Sequence, residues 1–185
     1  MENEKNTKKF NFWNYVVWFT FYSVIGWCYE VFLEVVVYKW GFTNRGVLFG
    51  PYTPVYGFGA LAFLLLVYPL IRGKKTGKRL ALLPAVFALC MLIATAIELG
   101  TSYILEAVTG SWPWQTYADY AINFQARIAL SPSIRFGLGG VLFLYVLQLV
   151  FEKICEKLRP KRVRILAIIF LVMFAADCVY TFAIK

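Results

Sequence analysis

Apolar positions gather into five long runs separated by short polar connections, the pattern of helices hydrophobic on every side rather than along one stripe. The runs cover 12–38, 54–71, 80–108, 131–151 and 165–184. With a rise of about 1.5 Å per residue, each can cross a hydrocarbon core of about 30 Å; the second is the shortest. Between the first two runs the pattern breaks. Asn44-Arg45-Gly46, Gly50-Pro51, Pro54 and Tyr56-Gly57-Phe58-Gly59 make a stretch too apolar for a solvent loop and too rich in Gly and Pro for a regular helix. Irregular backbone at membrane depth is tolerated only when it is buried in protein or lines a cavity. The pattern therefore predicts an all-α integral membrane protein. Residues 1–185 read as a single transmembrane domain, a bundle of about five transmembrane helices with a Gly/Pro-rich re-entrant or broken segment after the first helix.

Composition narrows the chemistry. The 185 residues are 61% hydrophobic and 16% charged, and the mean hydropathy is +0.65, whereas soluble domains carry about 25% charged residues. Five spans leave no room for a separate catalytic or nucleotide-binding domain. Histidine is absent, which removes imidazole acid-base chemistry, His-assisted nucleophiles and His-ligated metals. Cys28, Cys90, Cys155 and Cys178 form no C-x-x-C pair and read as small apolar packers. No Gly-rich stretch ends in Gly-Lys-Ser/Thr, so any ATP used is hydrolysed by another subunit. The chain is expected to be no enzyme and to hold no cofactor or metal.

The net charge of +9 would suit nucleic acid, but its placement points elsewhere. Lys5, Lys8 and Lys9 precede the first run. Arg72, Lys74, Lys75, Lys78 and Arg79 fill the second connection, and Lys153, Lys157, Arg159, Lys161, Arg162 and Arg164 the fourth. Those fourteen of nineteen cations fall on one side, and only Lys39, Arg45, Arg127, Arg135 and Lys185 on the other. The positive-inside rule then puts the N-terminus in the cytoplasm and the C-terminus outside a multi-pass cell membrane. The basic runs read as topology signals and headgroup contacts, and the first run, too long for a signal-peptide core, as a retained anchor. The acids Glu2, Glu4, Glu152 and Glu156 belong to the cytoplasmic side.

The other acids are Glu30, Glu34, Glu98, Glu106, Asp119 and Asp177. Glu30 and Glu98 each stand about 27 Å along their helices, at similar depth in the outer half of the membrane. A carboxylate there costs about 2.5–3.5 kcal/mol on insertion scales, so it is paired, protonated or turned to a watery cavity. Glu34 and Glu106 follow on the same faces and read as interfacial and solvated. Amides near Gly46 and Gly50 could hold an anion beside Arg45; the alternative is a tight turn that simply packs. The connection 109–130 carries Trp112-Pro113-Trp114, Tyr117, Tyr120, Asn123 and Arg127, as a lid or site wall would, or as rings resting on the bilayer. The candidate substrate-binding residues are Glu30, Glu98, Arg45, Asn44, Arg127, Tyr56, Glu106 and Asn123; the competing reading makes them structural pairs. Asp177 has no partner that the sequence identifies.

Gly26-Trp27 with Glu30, Asn44-Arg45-Gly46, Gly50-Pro51, Pro54, Tyr56-Gly57 and Gly59, then Glu98, Thr101-Ser102, Glu106, Trp112, Trp114, Asn123 and Arg127-Ile128 together resemble the CmpB-like ABC-transporter type IV permeases, small bacterial membrane proteins. The resemblance covers roughly 13–147. Where that family has a Trp-Asp-Tyr-Ser-like run and a Gly-Arg pair, this chain has Trp114-Gln115-Thr116-Tyr117 and Ala126-Arg127. The resemblance implies a transport component of the bacterial plasma membrane. Its outward-facing polar cavity would bind substrate, and a separate ATPase would dock on the cytoplasmic side, between the second and third spans. The lipid bilayer and a further copy of the chain are the other expected partners, and nucleic acid is not one. Two other functions compete: a non-catalytic membrane sensor or partner subunit, and an intramembrane enzyme acting on an outer-leaflet lipid or phosphate-bearing substrate, with Glu30 or Glu98 as general base.

Overall fold

In the computed structural model residues 10–184 are described; Glu2, Glu4, Lys5, Lys8, Lys9 and Lys185 lie outside the described residues. In chain order the helices are α1 (Phe12–Val37), α2 (Pro54–Ile71), α3 (Thr76–Ala81), α4 (Leu83–Thr109), α5 (Leu130–Lys157) and α6 (Pro160–Ile184). All but the short α3 are long and apolar enough to cross a membrane. The only strands among the described residues are β1 (Asn123–Phe124) and β2 (Ile128–Ala129), an antiparallel hairpin pairing Asn123 with Ala129 and Phe124 with Ile128. The protein is thus an all-α membrane protein, and the exposed apolar side chains of α6, such as Ile168, Leu171, Val172 and Met173, belong in a bilayer.

Local chemistry sets the helix ends. Asn11 and Asn14 exchange side-chain to backbone hydrogen bonds at 3.2 and 3.3 Å, a reciprocal cap that starts α1. Pro84 and Pro160 stand in the first turns of α4 and α6, where a missing N–H costs nothing. Gly110, at φ +79°, ends α4 in the left-handed conformation that a residue with a Cβ disfavours. Some ends differ from the hydropathy boundaries: α5 continues to Lys157, and Leu80 belongs to α3 rather than α4. Charge ends an apolar run, but it does not interrupt backbone hydrogen bonding.

The described chain comprises two compact units, residues 10–61 with 150–184, and residues 62–149. In the first, α1 packs on α6 through Val16, Val17, Val163 and Ala167, with Trp13, Leu158, Leu166 and Phe170 around them. Phe19 meets Phe58 and Phe174 edge-on, with ring centroids 5.0 and 5.8 Å apart. The start of α2 closes tightly on α1: a Cβ on Gly26 would fall inside the Tyr56 side chain, and one on Gly57 would strike Ser23. In the second unit α4 lies against α5 along Gly137 and Gly140, which face Phe87 and Cys90. Small residues allow this backbone approach, and the Thr95 hydroxyl donates to Ser133 Oγ across it at 2.8 Å.

Candidate functional site

The eight candidate residues divide between the two units. Asn44, Arg45, Glu30 and Tyr56 belong to the first; Glu98, Glu106, Asn123 and Arg127 belong to the second.

In the first unit the irregular stretch 38–53 is fastened to helices by three side-chain attachments and by backbone bonds such as that from the Thr53 amide to the Ser23 carbonyl at 2.9 Å. Glu34, only 3% exposed, accepts from the Thr43 hydroxyl at 2.5 Å and the Thr43 amide at 3.3 Å, and pairs with Arg45 Nε at 3.0 Å. It is therefore buried, where a solvated side chain was expected, because the chain folds back over the last turn of α1. Asn44 accepts from the Trp27 indole at 2.8 Å and donates to the carbonyls of Leu48 and Phe49 at 3.3 and 2.8 Å. The Tyr56 hydroxyl donates to Glu30, and Gly26 leaves the room for that ring. The third attachment involves Asp177 of α6. Its Oδ1 accepts from the Phe49 amide and the Thr181 hydroxyl, each at 3.0 Å, and its Oδ2 from the Gly50 amide at 2.8 Å and the Tyr52 hydroxyl. The amides of Phe49 and Gly50 are taken by the chain's own Asp177 carboxylate, and Arg45 lies with Glu34 rather than beside them. Burial raises the Tyr52 pKa well above the ordinary phenol range, and the hydrogen bond to Asp177 and its negative charge add to that rise.

In the second unit Arg127 is 7% exposed and enclosed. Its guanidinium pairs with Glu106 at 2.5 Å, donates to Ser102 Oγ at 3.4 Å, and lies 4.0 and 4.1 Å from the ring centroids of Trp112 and Tyr103. A planar cation held close to two aromatic rings suits Arg better than Lys. The Trp112 and Trp114 indoles donate to the carbonyls of Ala126 and Arg127 at 3.1 and 2.8 Å, so both tryptophans are turned inward to clamp the hairpin. Asn123 accepts from the Ala126 amide at 3.2 Å and donates to the Tyr120 carbonyl at 2.8 Å, which shapes the turn. Glu98, 6% exposed, accepts from Tyr117 at 2.8 Å; Tyr117 meets Tyr120 edge-on, and Arg135 donates to the Tyr120 hydroxyl at 2.7 Å. Asp177, Tyr52, Trp27, Tyr117 and Arg135 are thus parts of these clusters that spacing did not assign to a site. Their signal in the sequence was weak, because tyrosine and tryptophan are everywhere in a membrane chain and their hydrogen-bond partners come from distant segments.

A further group of charges lies between α2 and α4. Lys74, Lys75 and Lys78 are exposed on the α3 turn. Arg72 lies over the Tyr68 ring, Arg79 over the Tyr145 ring at 5.1 Å, and the Tyr145 hydroxyl donates to the Arg79 carbonyl at 2.6 Å. Lys74, Lys78, Ala81 and Leu82 line a shallow concavity there.

No curated protein and no solved structure matches the chain. A comparison with protein families matches residues 17–182 to the one described as "Putative ABC-transporter type IV". That match reaches into all five long helices and covers both polar clusters, and the chain belongs to this family.

Proposed function

We propose that this chain is the membrane-embedded component of an ABC-type transport system in the bacterial plasma membrane, with the N-terminus and the α3 turn in the cytoplasm. A separate ATPase docks on that turn. The observation that carries this reading is the build of the α3 turn. A topology signal needs only positive charge. Here, a short folded helix is anchored through Arg79 and Tyr145 while Lys74, Lys75 and Lys78 stay exposed, as in a docking element for an acidic partner. Substrate would be handled in the outer half, where Glu30 and Glu98 stand.

The test is purification of the native complex, followed by flux measurements in vesicles. An ATPase should co-purify with the wild-type chain and be lost from a Lys74→Glu, Lys75→Glu, Lys78→Glu variant that still accumulates in the membrane. Absence of any ATPase, together with absence of ATP-dependent flux, overturns the proposal. A second reading, a non-transporting sensor or partner subunit, draws support from the carboxylates that already engage Arg45 and Arg127. It predicts that Arg45→Gln and Arg127→Gln lower stability, and that vesicles carrying the wild-type complex show no ATP-dependent flux.

A further inference from the structure

We infer that the Phe49 and Gly50 amides and the Tyr52 hydroxyl form a carboxylate receptor, and that Asp177 is the resident ligand that closes it. The arrangement treats the two carboxylate oxygens alike. Each takes one amide hydrogen from neighbouring residues of the irregular stretch and one hydroxyl hydrogen. Two adjacent amides aimed at the two oxygens of one planar group are the backbone counterpart of a bidentate clamp. Three of the four donors belong to the stretch 49–52 and only Thr181 to the helix that carries Asp177, so most of the receptor is independent of its ligand.

Hydrogen bonds that do not involve Asp177 also brace the stretch. Asn44 grips the carbonyls of Leu48 and Phe49 while the Trp27 indole fixes Asn44, and the Tyr52 amide donates to the Gly50 carbonyl at 2.8 Å. Gly50 leaves the opening: a Cβ there would stand 3.0 Å from Asp177 Oδ2 and run into the Tyr52 ring. Among the described residues Asp177 makes no salt bridge, and Arg45 pairs with Glu34 instead. A cradle of neutral donors matches a singly charged, planar carboxylate better than a phosphate dianion. A solute carboxylate reaches these amides only by exchanging with Asp177, so the last helix competes internally for the site. This inference does not depend on the transport reading.

The full chain in detergent, at neutral pH, provides the test. Asp177→Ala should unfold several degrees below wild type. Sodium acetate should return at least half of that loss along a saturable curve, whereas sodium chloride at equal ionic strength should not. Wild type should not respond, and Asp177→Ala combined with Tyr52→Phe should recover less. No gain from acetate over chloride, or a gain indifferent to Tyr52→Phe, overturns the receptor. If Asp177→Ala does not accumulate, Asp177→Asn takes its place. Its NH2 group must face a donor while its bulk still fills the cradle, so a lowered unfolding temperature with no acetate response is expected. An unchanged unfolding temperature, or a response to acetate, overturns the inference.

Discussion

Gln125 and Ala126 are consecutive residues in the left-handed region, at φ +53° and +55°, between the two strands of the hairpin that presents Arg127. For a residue with a Cβ this conformation costs about 1–2 kcal/mol. Glycine escapes most of that cost. The strain at Ala126 persists here because Asn123, Trp112 and Trp114 bind the turn's backbone and the Arg127 guanidinium is held against the Trp112 and Tyr103 rings. Ala126→Gly should therefore stabilise the second unit by about 1 kcal/mol. Thermal unfolding in detergent would register it as a small rise, and an equal or lower unfolding temperature would contradict the account. At this scale the sequence put Arg127 and Asn44 among the polar candidates at membrane depth, but did not reveal what they touch. Asp177 and Phe49 are 128 positions apart, and no local periodicity relates them. Glu34 looked solvated because its position on the helix was legible, while the chain folding back over it was not.

Among the elements, the long helices were the most legible, because an apolar run long enough to span a bilayer has few other stable forms. Their faces were harder to read. When a helix is apolar all round, hydrophobicity no longer distinguishes the lipid side from the packed side, and small residues carry that information instead. Gly139 and Gly140 are neighbours in α5 with different surroundings: a Cβ at Gly139 meets nothing within 4 Å, whereas one at Gly140 would stand 2.6 Å from Cys90 Cβ and 3.0 Å from Phe63. Gly140→Val should force α4 and α5 apart at a cost of about 1–3 kcal/mol, while Gly139→Ala should be neutral or mildly stabilising through helix propensity. Parallel unfolding curves for the two variants would check this. Equal effects would mean that the close approach along Gly140 contributes little to the second unit.

For the molecule as a whole, charge placement is the property the sequence expresses most directly, and accessible backbone turns its proposed orientation into a measurement. The α3 turn exposes Lys74, Lys75 and Lys78, and the stretch after α1 exposes Lys39, at φ +56° in irregular chain. With consecutive membrane crossings these two positions lie on opposite faces, separated by α2. Arg127, by contrast, is enclosed by its own unit and should resist a protease from either side. If the basic connections are cytoplasmic, trypsin added to inverted vesicles should cut at 74–78 and leave Lys39 intact. Added to cells with the outer face exposed, it should cut after Lys39 and spare 74–78. Mass spectrometry of the two fragment sets distinguishes the orientations, because the cuts divide the chain at different lengths. The reverse pattern would put the α3 turn outside the cell, out of reach of any ATP-hydrolysing subunit. The docking proposal would then fail, while the carboxylate receptor, which depends only on contacts within one unit, would stand.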